Sequence, residues 1–154
     1  FKAQERGVLF DVGHGGGSLI WHQVIPSIKQ GFYPDIISSD LHTSSMNGGM
    51  KNMANLMSKF LNLNMELEEV IQRTTWNPAR YIDRKDLGHL SVGTVADVAI
   101  FNIRKGDFGF VDARGRTMRG TRKLEAELTL REGEVVWDLN GLSEPMWNEK
   151  PLRY

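Results

Sequence analysis

The chain has no cysteine among its 154 residues. Disulfides and thiolate metal sites are thereby excluded, so any metal must be held by histidine, carboxylate or a modified lysine. It has no run of about 18 apolar residues, the length that crosses a bilayer, so no membrane partner is expected. It has no charge excess of either sign, with Lys plus Arg at 19 and Asp plus Glu at 19. That balance gives no electrostatic reason to expect nucleic acid or an anionic surface as partner. It has no internal repeat and no low-complexity segment. It also lacks a leading methionine, and Phe1–Arg6 is charged and helix-like rather than a secretory signal. The expectations are a missing N-terminal part and a cytoplasmic protein. What is present is ordinary: 40% hydrophobic and 25% charged residues, enough for one sizeable core.

The pattern divides the chain near residue 85. In the part spanning 1–85, Val8–Val12 is β-prone and stops at Gly13, followed by Gly15–Gly17, as at the start of a βα unit. Ser18–Gln30 suits a helix, with Ser18 as N-cap, Gly31 at the C-terminal end and Pro26 as an internal weak point. Ile36–Ser39 suits a short strand buried on both faces. Met50, Met53, Ala54, Met57, Phe60 and Leu61 recur at helical spacing and read as core, with cofactor binding the remote alternative. Asn64 is expected to cap a following helix whose inner face is Leu67, Val70 and Ile71. Asn77-Pro78 reads as a cap and first helical residue of a short turn through Ile82.

The part spanning 86–142 reads as strands: Val95–Phe101, Glu125–Leu130 and Glu134–Asp138, the last two joined by a hairpin turn at 131–134. The glycine- and charge-rich stretch Gly106–Gly120 reads as a loop or a poorly ordered edge. Ser143–Tyr154 reads as a tail.

Two segments could carry chemistry. Asp40, in Ser38-Ser39-Asp40-Leu41-His42, directly follows a strand, and in parallel α/β folds that end faces the active site. A carboxylate there can bind a cation and accept a proton from water, or it can merely cap a turn. His14, in Asp11-Val12-Gly13-His14-Gly15, can bind metal, hold a substrate oxygen, act as acid or base, or sit hydrogen-bonded in a loop. Gly15–Gly17 before a helix could cradle a phosphate, although the Lys-Ser/Thr pair of a P-loop is absent. His22 and His89 read as structural or solvated.

Further along comes Thr75-Trp76-Asn77-Pro78-Ala79, and then Gly88-His89-Leu90-Ser91-Val92-Gly93-Thr94-Val95-Ala96-Asp97. These runs resemble the C-terminal signature of the amidohydrolase superfamily: threonine-x-asparagine-proline-alanine, then glycine-x-leucine-x-x-glycine-x-x-alanine-aspartate. With Gly7–Gly15 and Ser38–Thr43, the resemblance covers roughly residues 6–142 and is nearest to the dihydroorotase-like amidohydrolase/deacetylase group.

The resemblance implies an α/β fold, with the last two βα units of a TIM barrel in residues 1–85 and strands of a small β-sandwich in 86–142. It implies that Asp40 is a metal-binding, proton-shuttling aspartate, that His14 and Gly15 lie at the substrate-holding mouth, and that His42 sits behind Asp40 near substrate. The metal implied is a divalent cation, with zinc the expected one. Dihydroorotases proper carry aspartate-x-x-proline-histidine after the last strand, whereas Asp40 is followed here by Leu41-His42-Thr43-Ser44. A deacetylase-like hydrolysis of a small-molecule amide or ester is therefore expected. No His-x-His pair is present, and Lys29 and Lys51 fall in the wrong places for a bridging lysine. A whole barrel needs about 250 residues, so the chain is expected to be a C-terminal fragment, inactive alone. A barrel relative without a metal site that serves in assembly, and a phosphate-binding α/β module, are the alternatives. Self-association of the full-length protein into a homo-oligomer stays open.

Overall fold

The computed structural model describes residues 1–46 and 48–149. The segment 150–154, at the end of the expected tail, lies outside the described residues. The elements run α1 (Lys2–Glu5), β1 (Asp11–Gly13), α2 (Trp21–Lys29), β2 (Ile36–Ser38), α3 (Met53–Leu61), α4 (Leu67–Thr74) and α5 (Trp76–Tyr81). Then follow β3 (Val98–Val111), β4 (Thr117–Arg131) and β5 (Glu134–Asp138). The fold is mixed α/β: β1 and β2 pair in parallel, and β3, β4 and β5 form an antiparallel sheet with β4 in the centre. No helix among the described residues is long and apolar enough to cross a membrane.

The parallel pair begins later than the sequence pattern suggests. Gly7 turns the chain in a left-handed conformation, and the Val8 amide is drawn back to the Ala3 carbonyl. Val8 and Leu9 are left half-exposed, and the ladder starts at Asp11 opposite Ile36. Helix α2 then crosses from β1 to β2, with Pro26 accommodated inside it. Ser18 does not cap this helix. Ile20 is the N-cap, without a side-chain bond, and the Trp21 amide donates instead to Asp112 Oδ2 at 3.1 Å. A carboxylate from the far hairpin thus satisfies the positive end of α2.

Helix α3 is buried over six consecutive residues, Leu56–Leu61, including Ser58 and Lys59. Its N-cap is Asn52, whose side chain accepts from the Asn55 amide at 2.8 Å. Asn64 closes α3 rather than opening α4: with a φ of 64° it directs its amide to Leu61 O, while the Met65 amide returns to Phe60 O. That bond pair, with buried Met65 following, is a Schellman stop. Helix α4 buries Val70, but Ile71 lies 41% exposed, outside the inner face expected for it. Asn77 does not cap α5 either; the N-cap is Thr75, and the Asn77 amide group donates to Asp35 O at 2.8 Å.

The largest departure is Gly106–Gly120. It is not a loop but the distal half of a long β3–β4 hairpin, with Phe108 opposite Gly120, Phe110 opposite Met118 and Val111 opposite Thr117. Phe108, Phe110 and Met118 turn toward the core, and Phe110 is 1% exposed. Period-two burial of these apolar residues drives the pairing despite the intervening glycines and charges. The β4–β5 turn is a tight hairpin, as expected, with Glu132 and Gly133 both at positive φ (52° and 85°).

One core joins the two parts. Leu19, Trp21, Ile37, Phe60 and Leu61 share it with Phe110 and Leu124 of the hairpin. Polar groups fix the register: the Leu124 amide donates to Ser58 Oγ at 2.8 Å, and Asn62 Nδ2 donates to Arg122 O at 2.7 Å.

Candidate active site at the ends of the parallel strands

The C-terminal ends of β1 and β2 bring His14, Gly15, Asp40 and His42 together. The ladder continues past the strands: the His14 amide donates to Ser38 O (3.1 Å) and the Gly15 amide to Ser39 O (2.9 Å). Asp40 follows in a left-handed conformation with a φ of 46°. Aspartate is among the few non-glycine residues that adopt this conformation readily, as Asp83 also does here. The Asp40 side chain is 56% exposed. Its carboxylate lies against the backbone of the 13–15 turn, where a Cβ on Gly13 would come within 3.2 Å of Asp40 Cβ.

His42 is tied to Asp40 by its ring. Nδ1 lies 2.7 Å from Asp40 O and 3.8 Å from Asp40 Oδ1, with the His42 side chain 47% exposed. Nδ1 donating to that carbonyl leaves Nε2 as the acceptor nitrogen. The His42 loop is closed on itself by Ser45, whose hydroxyl accepts from the His42 amide at 3.0 Å.

His14 is not at an open mouth. It is fully buried, with Nδ1 3.0 Å from Gly15 O and Nε2 2.6 Å from Lys59 Nζ. Burial lowers its pKa, the Gly15 carbonyl opposes that, and the Lys59 charge lowers it further. The ring is therefore held toward its neutral form, with both nitrogens engaged inside the protein. Lys59 and Asp112 escaped the sequence reading. The visible signal for Lys59 was a charge at an apolar-face position, in register with Leu56, Phe60 and Leu63.

Gly15 carries a φ of +41°, and a Cβ there would run into the Asp40 carboxylate. Gly15→Ala is therefore expected to displace the Asp40 carboxylate and lower the melting temperature, with circular dichroism near wild type, because alanine is strained at this φ. An unchanged melting temperature would show that the turn does not floor the carboxylate.

Gly15–Gly17 does not serve as an anion cradle ahead of a helix. Helix α2 begins at Trp21, and its first amide is already bonded to the Asp112 carboxylate. His22 is exposed on α2, and His89 packs edge-to-face on Trp76 at 5.4 Å between centroids. The main apolar concavity lies elsewhere, between α2 and the hairpin tip, lined by Trp21, Ile25, Pro26 and Met118.

Among the described residues no three histidine, aspartate or glutamate side chains converge on one point. The donor set at the strand ends includes the accessible Asp40 carboxylate and the His42 imidazole, while the exposed Asp11 carboxylate accepts from Ser38 Oγ at 2.6 Å. That chemistry suits a borderline divalent cation but falls short of the usual three or four ligands.

Residues 21–136 match the amidohydrolase family model, so the chain belongs to the amidohydrolase family. It is 37% identical over 135 residues to a deacetylase of Brucella anthropi, an alignment covering 88% of this chain and 34% of that protein. The chain thus spans about a third of the length of the curated relatives it matches. In structure it is similar to a dihydroorotase (TM-score 0.79, 34% identity) over 90% of this chain and 38% of that one. It is also similar to an adenine deaminase (TM-score 0.83, 27% identity), again over 90% of this chain and 38% of that one.

Proposed function

We propose that this chain supplies the last-strand share of a metal-dependent hydrolase that cleaves a small-molecule amide, or an ester, in the manner of a deacetylase. In this reading β1 and β2 are the last two strands of a TIM barrel, and the antiparallel sheet belongs to the β-sandwich beside it. The observation that carries the reading is Asp40: an accessible carboxylate, in a left-handed conformation, at the C-terminal end of a parallel strand. The deacetylase relatives and the absence of aspartate-x-x-proline-histidine support an acyl-amide substrate over a dihydroorotate-like ring.

Asp40 would be this chain's metal ligand, with His42 beside it, and the other ligands would come from outside the described residues. A bound divalent cation, zinc by family resemblance, would supply the Lewis acidity that makes water nucleophilic at neutral pH. The chain's own contribution is proton handling. An Asp40 Oδ atom takes the proton lost by the attacking water and returns it to the leaving nitrogen. His42, anchored on the Asp40 carbonyl, stands where its Nε2 can meet substrate. Gly15 leaves the carboxylate its room.

Treating the full-length protein with a chelator is expected to abolish hydrolysis of an N-acetyl amide, and added zinc to restore it. The 154-residue chain alone is expected to show no turnover and only weak zinc binding. Hydrolysis undiminished by chelation would overturn the metal-dependent reading. Tight stoichiometric zinc in a calorimetric titration of the chain would overturn the shared-site reading.

A further inference from the structure

Lys59 is fully buried, charged and unused by the chemistry above. Its Nζ lies 2.6 Å from His14 Nε2, 2.9 Å from Gly49 O and 2.7 Å from Val111 O. An ammonium has three protons and no lone pair, and each of these acceptors takes one. Burial lowers the Lys59 pKa to about 8, the Asp112 carboxylate opposing and Lys51 assisting. The group remains protonated at neutral pH. Asp112 is itself kept ionised: burial works against it, but the amides of Arg116, Trp21 and Arg114 and the Lys59 charge outweigh that cost.

A protonated Lys59 can only donate to His14 Nε2. The Val111 carbonyl also lies beside the ring, but Lys59 donates to it at 2.7 Å as well as to Nε2, which places the ring proton of neutral His14 on Nδ1, facing Gly15 O at 3.0 Å. Gly15 is thereby held at its carbonyl by His14 and at its amide by Ser39 O at 2.9 Å, so the peptide groups on both sides of its Cα are fixed. Against this residue the Asp40 carboxylate rests, with no space for a Cβ between them. The arrangement runs without a gap from α3 and the end of β3, through His14 and Gly15, to Asp40.

We propose that Lys59 is a positioning residue for Asp40: it sets the tautomer of His14, whose Nδ1 proton clamps the Gly15 carbonyl and holds the turn under the carboxylate. The proposal rests on the reading of Asp40 as the proton carrier, but the His14 tautomer can be judged without it.

The test is histidine-ring nitrogen NMR together with steady-state kinetics, both on the full-length protein. Wild type is expected to carry the His14 proton on Nδ1 and leave Nε2 bare at neutral pH. Lys59→Met should lose that preference and lower kcat about tenfold to hundredfold with KM within about twofold, as a misplaced group does. His14→Gln keeps an acceptor for Lys59 but loses the clamp, and should lower kcat by a similar factor. The double variant should be no worse than the poorer single one, because both act through one turn. A wild-type His14 protonated on Nε2 would overturn the proposal even if Lys59→Met fails to fold. So would a lower melting temperature with tautomer and kcat intact, which is what a purely structural lysine predicts. If Asp40→Asn keeps full turnover, the hydrolase reading fails, and the tautomer result still decides the lock between Lys59 and His14.

Discussion

Asp40→Asn is expected to lower turnover of the full-length protein by about 10²–10⁴-fold, the contribution of a general base. Asparagine has the shape of aspartate and can ligate a cation through its carbonyl oxygen, but it cannot take up a proton. It is also among the residues that tolerate a left-handed backbone, so the φ of 46° at this position costs it little. The substitution therefore removes proton acceptance while leaving the 13–15 turn, the His42 bond to the residue 40 carbonyl and the strand ladder in place. The rate should be read after metal reconstitution, with metal content measured on the same sample. A metal-replete variant within tenfold of wild type would take Asp40 out of the mechanism and leave it as a turn residue.

The elements legible in the sequence were those whose burial pattern is periodic and local. The β1–α2–β2 order, the methionine-bearing helix α3 and the tight turn at Glu132-Gly133 follow from such signals. Family membership was legible from Thr75–Ala79 and Gly88–Asp97, both carried by short, ordered runs. What could not be read was set by long-range partners. The distal β3–β4 hairpin looked like a loop because its glycines and charges mask the inward alternation of Phe108 and Phe110, which takes meaning only against α3 and α2. The carboxylate that satisfies the first amide of α2 belongs to Asp112, 91 residues away, so Ser18 looked like the better capping candidate. The place of Asp40 just past a strand end could be read because a strand end is a local feature. The burial of His14 could not, because its partner Lys59 lies 45 residues away on another helix. A lysine inside an apolar stripe is evidence of such a partner only once the acceptors converging on it are known.

Phe60→Ala should cost about 3–5 kcal/mol of unfolding free energy, the range for removing a fully buried phenylalanine side chain. Phe60 has no exposed surface and belongs to the shared core. With Val12, Val24 and Ile28 it lines the small cavity between α2, β1 and α3, so its ring touches the elements that set the strand ends. It lies next to Lys59, and the hole left by alanine opens between the helix and the strand that carry the lock between Lys59 and His14. A domain's whole stability is on the order of 5–15 kcal/mol, so this single loss is a large share of it. Ile71→Ala supplies the contrast. By helical spacing Ile71 belongs to the inner face of α4, but it is 41% exposed in the 154-residue chain, and its truncation in that chain should cost under about 1 kcal/mol. Urea denaturation of wild type and the two variants distinguishes them, provided the slope with denaturant is unchanged and only the midpoint moves. Equal losses at the two positions would mean that Ile71 packs inward, as its helical spacing suggests. A loss at Phe60 below about 1 kcal/mol would mean that α3 is not the common wall of the parallel pair and the hairpin. In that case the strand ends bearing Asp40 would need some other support.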